Sequence, residues 1–264
     1  MNKTIRTGCQ RVQVSLCFLL CVLFLLFIAG PGGVFAEEAS DEAGRLTSLV
    51  DKVIDAYGGR EAIEGMHSLH LRGKIEAFML HDRGTYELWF RRERKLRVET
   101  KYQHAWEVRI LNGERGYRSS DSLPLEEVFG PRYFAMVYQY KHLDILHDLL
   151  KGTYQIRSAG RSSLNGNDVE VLRLKDSEGT VMDIVVEART FHIVKVTGYF
   201  SAEGKKTELS AEFSDFRKVG ALQFPFRVTN YAAGMKIAET VIDEYSLNPE
   251  IVDSLFGPQA IHSL

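Results

Sequence analysis

After residue 36 this chain has no cysteine; Cys9, Cys17 and Cys21 all precede that point. The remainder can therefore form neither a disulfide nor a thiolate metal site. H-E-x-x-H, G-x-S-x-G and a glycine-rich phosphate loop are also missing, which removes the local signatures of a zinc hydrolase, a serine nucleophile and a nucleotide cradle. Ser162-Ser163 lies in GRSSLNG and reads as a hairpin turn. His67 and His70 straddle a strand start, where a spacing of three puts them on opposite faces. His142 and His147 are five apart on a predicted helix and do not align. Glu126-Glu127, and Asp253 near Glu250, fall in polar segments that read as solvated loops. No metal or cofactor is predicted. An active site assembled from distant residues, for which His104, His142 and Asp144 are the candidates, would leave no motif. Linkers, internal repeats and low-complexity tracts are absent as well.

One long apolar run is present. Lys3, Arg6 and Arg11 precede VSLCFLLCVLFLLFIAG, then Pro31-Gly32-Gly33 and Val34-Phe35-Ala36. A basic start, a short apolar core and a small closing residue have the order of a secretory signal peptide. Residues 1–36 are read as that leader, cleaved after Ala36, which sends the rest of the chain out of the cytoplasm; an uncleaved anchor is the rival. Bulky Phe18-Leu19-Leu20 before Cys21 speak against lipid attachment there. The leader takes away three of the 33 basic residues and none of the 35 acidic ones, leaving 30 against 35, net −5. Nucleic acid is a poor partner for such a chain. Residues 37–264 suit one domain, with 37–42 and 258–264 read as flexible.

The first predicted helix is capped by Ser40, carries Leu46, Leu49, Val50, Val53, Ile54 and Tyr57 on one face, and ends at Gly58-Gly59. Period-two alternation follows. Leu69, Leu71, Ile75 and Ala77 oppose His70, Arg72, Lys74 and Glu76, and Tyr86, Leu88 and Phe90 continue the theme. Leu96 and Val98 alternate with Arg97 and Glu99, and Trp106, Val108 and Ile110 with Glu107 and Arg109. A second helix, apolar over much of its circumference, runs from Tyr133 to Leu150 and must be covered by protein or by a ligand. Alternating strands resume from Tyr154 to Tyr245. The fold class is α+β, mainly antiparallel β: about ten or eleven strands in one strongly curved sheet, with helices on its concave apolar face. Where such packing stops short, an apolar concavity becomes a binding site, and Tyr86, Leu88, Phe90, Trp106, Phe134 and Tyr138 are the candidates for its lining. The cluster Arg91-Arg92-Glu93-Arg94-Lys95 reads either as a solvated hairpin end or as a rim that holds an anionic or acyl-carbonyl group.

A-Y-G-G after the first helix, then L-W-F-R-R, N-G-E-R-G-Y, a mid-chain helix and the ending FSDFRKVGALQFPFRVTNYAAGMKIAETVIDEYSLNPEIVDSLF together resemble the LolA-like, outer-membrane lipoprotein-sorting-related proteins of the Gram-negative envelope. The resemblance covers nearly all of residues 42–257. It implies an incomplete β-barrel capped by helices, and an apolar cavity for lipid or lipoprotein acyl chains. Arg92 matches the family's functional arginine, although Glu93 stands where that segment usually has proline. The function so implied is that of a non-catalytic periplasmic carrier or chaperone, with Arg92 orienting the polar end of the client and transient membrane contact. An interaction module of an envelope complex is the alternative, and an envelope lipid hydrolase a further one.

Overall fold

The computed structural model describes residues 32–202 and 204–259. The basic start and apolar run of the leader lie outside them. The described residues divide between two units, 32–45 in one and those from Leu46 in the other. Helix α1 spans Gly32–Ala56. It begins before the expected cap at Ser40 and takes in residues 37–42, expected to be loose. VFAEEASDEA is rich in alanine and glutamate, which favour helix strongly enough to extend it through that stretch. Among the described residues no helix is long and apolar enough to cross a membrane.

In the unit from Leu46, α1 buries Leu46, Leu49, Val53 and Ile54 and stops at Gly58-Gly59, both at positive φ. Gly58 serves close approach as well as conformation: a Cβ there would lie 2.2 Å from the carbonyl oxygen of Ala221. Gly58→Ala is expected to cost about 2–3 kcal/mol, read from the midpoint of denaturant unfolding. A short helix α2, Arg60–Gly65, follows.

Thirteen strands then build one antiparallel sheet: β1 Ser68–Ala77, β2 Asp82–Arg91, β3 Lys95–Tyr102, β4 Trp106–Asn112, β5 Arg115–Ser120, β6 Leu123–Val128, β7 Gln155–Leu164, β8 Asn167–Lys175, β9 Val181–Glu187, β10 Ile193–Ala202, β11 Lys205–Val219, β12 Leu222–Ala232 and β13 Met235–Leu247. The order is β6-β5-β4-β3-β2-β1-β13-β12-β11-β10-β9-β8-β7, so the sheet is open, with β6 and β7 as its edges. Helix α3, Gly130–Lys151, connects these two edge strands; Pro131 stands in its first turn and Gly152, left-handed, closes it.

The sheet is strongly curved, and α3 shows why it must be. Side chains at Gly116 on β5 would run into Tyr133 and Met136, and at Gly198 on β10 into Phe134 and Tyr138. In a flat sheet those two strands, eight intervals apart, would be separated by about 38 Å. Adjacent residues of one helix reach both, so the strands wrap around it. The concave face, together with α1 and α3, holds the main core: Leu69, Leu71, Leu88, Phe90, Leu96, Val98, Leu172, Ile184 and Val196.

The convex face has a small core of its own. A 3-10 turn, Asp253–Phe256, lays Phe256 on Val108 and Ile110, with Trp89 and Trp106 beside them. Two expectations are corrected by this region. Trp106 lies on the face opposite the concavity. Glu126-Glu127 belong to β6, where Glu127 accepts from Arg115 at 2.6 and 3.0 Å, and are not loop residues.

Candidate functional site

A cavity of about 110 Å³ lies between α3 and the concave face of the sheet. Its roof is a single stripe of α3: Gln139, His142, Leu143 and Leu146, spaced i, i+3, i+4, i+7. Its floor comes from six strands, with Leu71 on β1, Leu88 on β2, Val196 on β10, Phe213 on β11, Val228 on β12 and Ile242 on β13. Period two aims these inward because each shares its face with the main core. Leu143, Leu146, Phe213 and Val228 remain only partly covered, so the protein leaves apolar surface here that its own side chains do not fill.

Polar groups are few and mostly satisfied. Gln139 Nε2 donates to the Tyr86 hydroxyl at 2.7 Å, and burial pushes the Tyr86 hydroxyl up to about 12. The Tyr57 hydroxyl accepts from the Ile193 amide at 3.1 Å. The exception is His142, whose Nδ1 is buried without a partner, between the rings of Tyr138 and Phe213. Burial lowers its pKa to about 4, so the imidazole is neutral at physiological pH.

Of the predicted lining, Tyr86 and Leu88 face the cavity. Phe90, on the same face of β2, is fully buried against Tyr140 at 5.2 Å between centroids. Phe134 and Tyr138 pack on β10, Phe134 against Phe200 and the Tyr138 hydroxyl donating to the Val196 carbonyl at 2.9 Å. Trp106 is on the other face. The C-terminal half of the lining, Phe213, Val228 and Ile242, was not among the predicted residues; the alternation Leu209, Ala211, Phe213 was its visible signal.

Arg92 lies outside the lining, not at the polar end of the cavity where it was expected. Its guanidinium donates to Asp144 Oδ1 on α3 at 3.2 Å and to the Glu64 and Ile63 carbonyls of α2 at 3.0 and 2.8 Å. Those carbonyls lie in the last turn of α2, where the Ile63 carbonyl also accepts from the Met66 amide at 3.3 Å. Arg92 thus ties the β2–β3 turn, α2 and α3 together. The rest of the basic cluster is also engaged within the protein: Arg91 and Lys95 with Asp253, Arg94 with Glu178. The two cations hold the exposed Asp253 carboxyl down at about 2.

His104, His142 and Asp144 each have separate neighbours: His104 meets Asp82 at 3.3 Å, His142 faces the cavity, and Asp144 meets Arg92. Among the described residues one unpredicted cluster is present. Asp144, His147 and Asp148 bring a ligand atom each within 4.8 Å of one another. The Arg92 guanidinium already occupies Asp144, so this cluster is better described as part of the Arg92 tie.

No family model and no curated protein matches the sequence. Solved structures do match the fold, and it is similar to that of LolA-like proteins. A DUF1329 family protein from Desulfovibrio piger aligns over 81% of this chain and 97% of its own, at 11% identity and a TM-score of 0.51. A LolA superfamily protein from Nitrosomonas europaea aligns over 79% and 96%, at 15% identity and a TM-score of 0.51. A domain described as outer membrane lipoprotein-sorting, from Vibrio parahaemolyticus, aligns over 76% and 94%, at 11% identity and a TM-score of 0.50.

Proposed function

We propose that the protein is an exported, periplasmic, non-catalytic carrier or chaperone that holds a hydrophobic client, the alkyl part of a lipid or lipoprotein, under α3. The supporting observation is the unfilled apolar cavity of about 110 Å³ on the concave face of an open sheet. For scale, a cavity of about 150 Å³ lined by similar residues takes benzene. The space therefore suits a short stretch of hydrocarbon, and each methylene buried contributes about 0.8 kcal/mol without any special chemistry. Two proteins of similar fold, one described as outer membrane lipoprotein-sorting and one as LolA superfamily, agree with this reading. The leader through Ala36 supplies the export that it requires.

Delivery to a membrane is supported at one end of the sheet. The β1–β2 and β12–β13 turns are neighbours, since the Phe78 amide donates to the Ile237 carbonyl at 2.9 Å. Together they expose Met79, Leu80 and Met235, each about three-fifths accessible. Leu80→Asp is expected to weaken flotation with lipid vesicles several-fold and to leave the melting temperature unchanged.

Native mass spectrometry of the protein purified from the envelope tests the carrier reading. Bound lipid, released on unfolding, is the expected result. A ligand-free protein that crosslinks stoichiometrically to an envelope protein would instead support an interaction module, for which the exposed edge strand β7 is the available surface.

A further inference from the structure

The row of residues that floors the cavity continues beyond it. Following cross-strand partners from Tyr245 through Leu71, Leu88 and Val98 leads to Arg109 on β4 and then Arg118 on β5. Both arginines lie on the concave face. On β4, Leu111 shares Arg109's side and belongs to the main core, while Val108 and Ile110 point the other way.

Arg109 and Arg118 are directly opposite one another, an arrangement that destabilises a sheet when the charges are alike. Their side chains are also largely withdrawn from water, at 27% and 25% exposure. One carboxylate serves both. Glu107 accepts from Arg118 Nε but stands 3.8 Å from Arg109 Nε, beyond hydrogen-bond reach. That buried Nε has no partner. Glu126, opposite Arg118 on β6, is engaged at 3.0 Å by Arg132. Three arginines thus face two glutamates. The patch is also electrostatically continuous with the cavity, because the charge of Arg109 acts on the hydroxyl of Tyr86, a lining residue.

We infer that Arg109 and Arg118 form a head-group subsite, so that the ligand is an anionic amphiphile with its alkyl chain in the cavity and its carboxylate or phosphate on the arginine pair. Leu88 and Arg109 are two strand intervals apart, about 10 Å, which a short alkyl segment spans. Guanidinium forks match the oxygens of either anion, and an incoming anion relieves the repulsion between the two cations. This inference rests on the carrier reading given above.

The test compares decanoate, decyl phosphate and decanol as ligands of the purified full-length protein by calorimetry at low salt. Both anions are expected to bind about tenfold tighter than decanol. In the Arg109→Gln, Arg118→Gln double variant all three are expected to bind within about twofold of one another, at the wild-type affinity for decanol. The ratio of decanoate to decyl phosphate identifies the head group. Equal binding of all three ligands by the wild type would overturn the subsite and leave the cavity reading intact, whereas binding of none would end both. The double variant loses a like-charge pair but also the cations that face Glu107, so its melting temperature is measured before any ligand is added. Should it unfold, the wild type decides alone: raising salt from about 0.02 to about 0.5 M must erase the preference for the anions without weakening decanol.

Discussion

Replacing Arg92 with methionine is expected to destabilise the protein by about 3–5 kcal/mol at pH 8, measured by denaturant unfolding. Two losses combine. The Glu64 carbonyl loses its donor, the Ile63 carbonyl keeps only the Met66 amide, and Asp144 is left as a buried carboxylate without its cation. The pH dependence distinguishes this account from a mere packing defect. Burial, followed by the nearby Asp148 charge, already raises Asp144 to about 6 in the folded protein, despite Arg92. A carboxyl whose folded pKa lies above its unfolded value favours folding fully below about pH 4, and that contribution disappears as pH rises through 6. For a shift of this size the change is about 3 kcal/mol between pH 4 and pH 7. Without Arg92 the folded pKa climbs further, so the cost of Arg92→Met should shrink markedly at pH 5, where Asp144 can take a proton. Asp144→Asn should flatten the difference in both backgrounds. A cost of Arg92→Met that is constant from pH 5 to pH 8 would show that the ion pair is not its cause.

Filling the cavity should have the largest effect on binding. Val228→Trp and Leu143→Trp each place an indole in a void of about 110 Å³. Displacing two to four methylenes of ligand, at about 0.8 kcal/mol each, weakens binding of an alkyl probe roughly tenfold to hundredfold. The melting temperature should hold or rise, because both residues are only partly covered and the added surface gains contacts. The readout is displacement of a fluorescent fatty-acid probe. Undiminished binding by both variants would place the ligand elsewhere.

The alternation of Leu69–Ala77 gave the correct face because that stretch has protein on one side and exposed Arg72 and Lys74 on the other. The same reasoning misplaces Trp106. In β4 the apolar residues Trp106, Val108 and Ile110 point outward, toward Phe256, and Glu107 and Arg109 point inward. A strand covered on both faces no longer reports which is which. The covering turn lies about 150 residues further along the chain, and alternation within β4 carries no trace of it. Pro124 and two glutamates disguised β6, yet an edge strand tolerates all three. The segment around Arg92 did draw attention to a special arginine. Its partner, Asp144, is 52 residues away, and only the fold brings the two together. The Arg109–Arg118 pair was invisible for the same reason: each residue alone reads as the polar member of an alternating strand.

A closed barrel has a girth set by its strand number and stagger. Here β6 and β7 never meet, and the segment joining them is the roof helix α3 itself. Swinging that helix outward would break no ladder of strand pairs, only side-chain ties such as Arg92 to Asp144 and Tyr138 to Val196, so those ties and not the strand number set the size of the pocket.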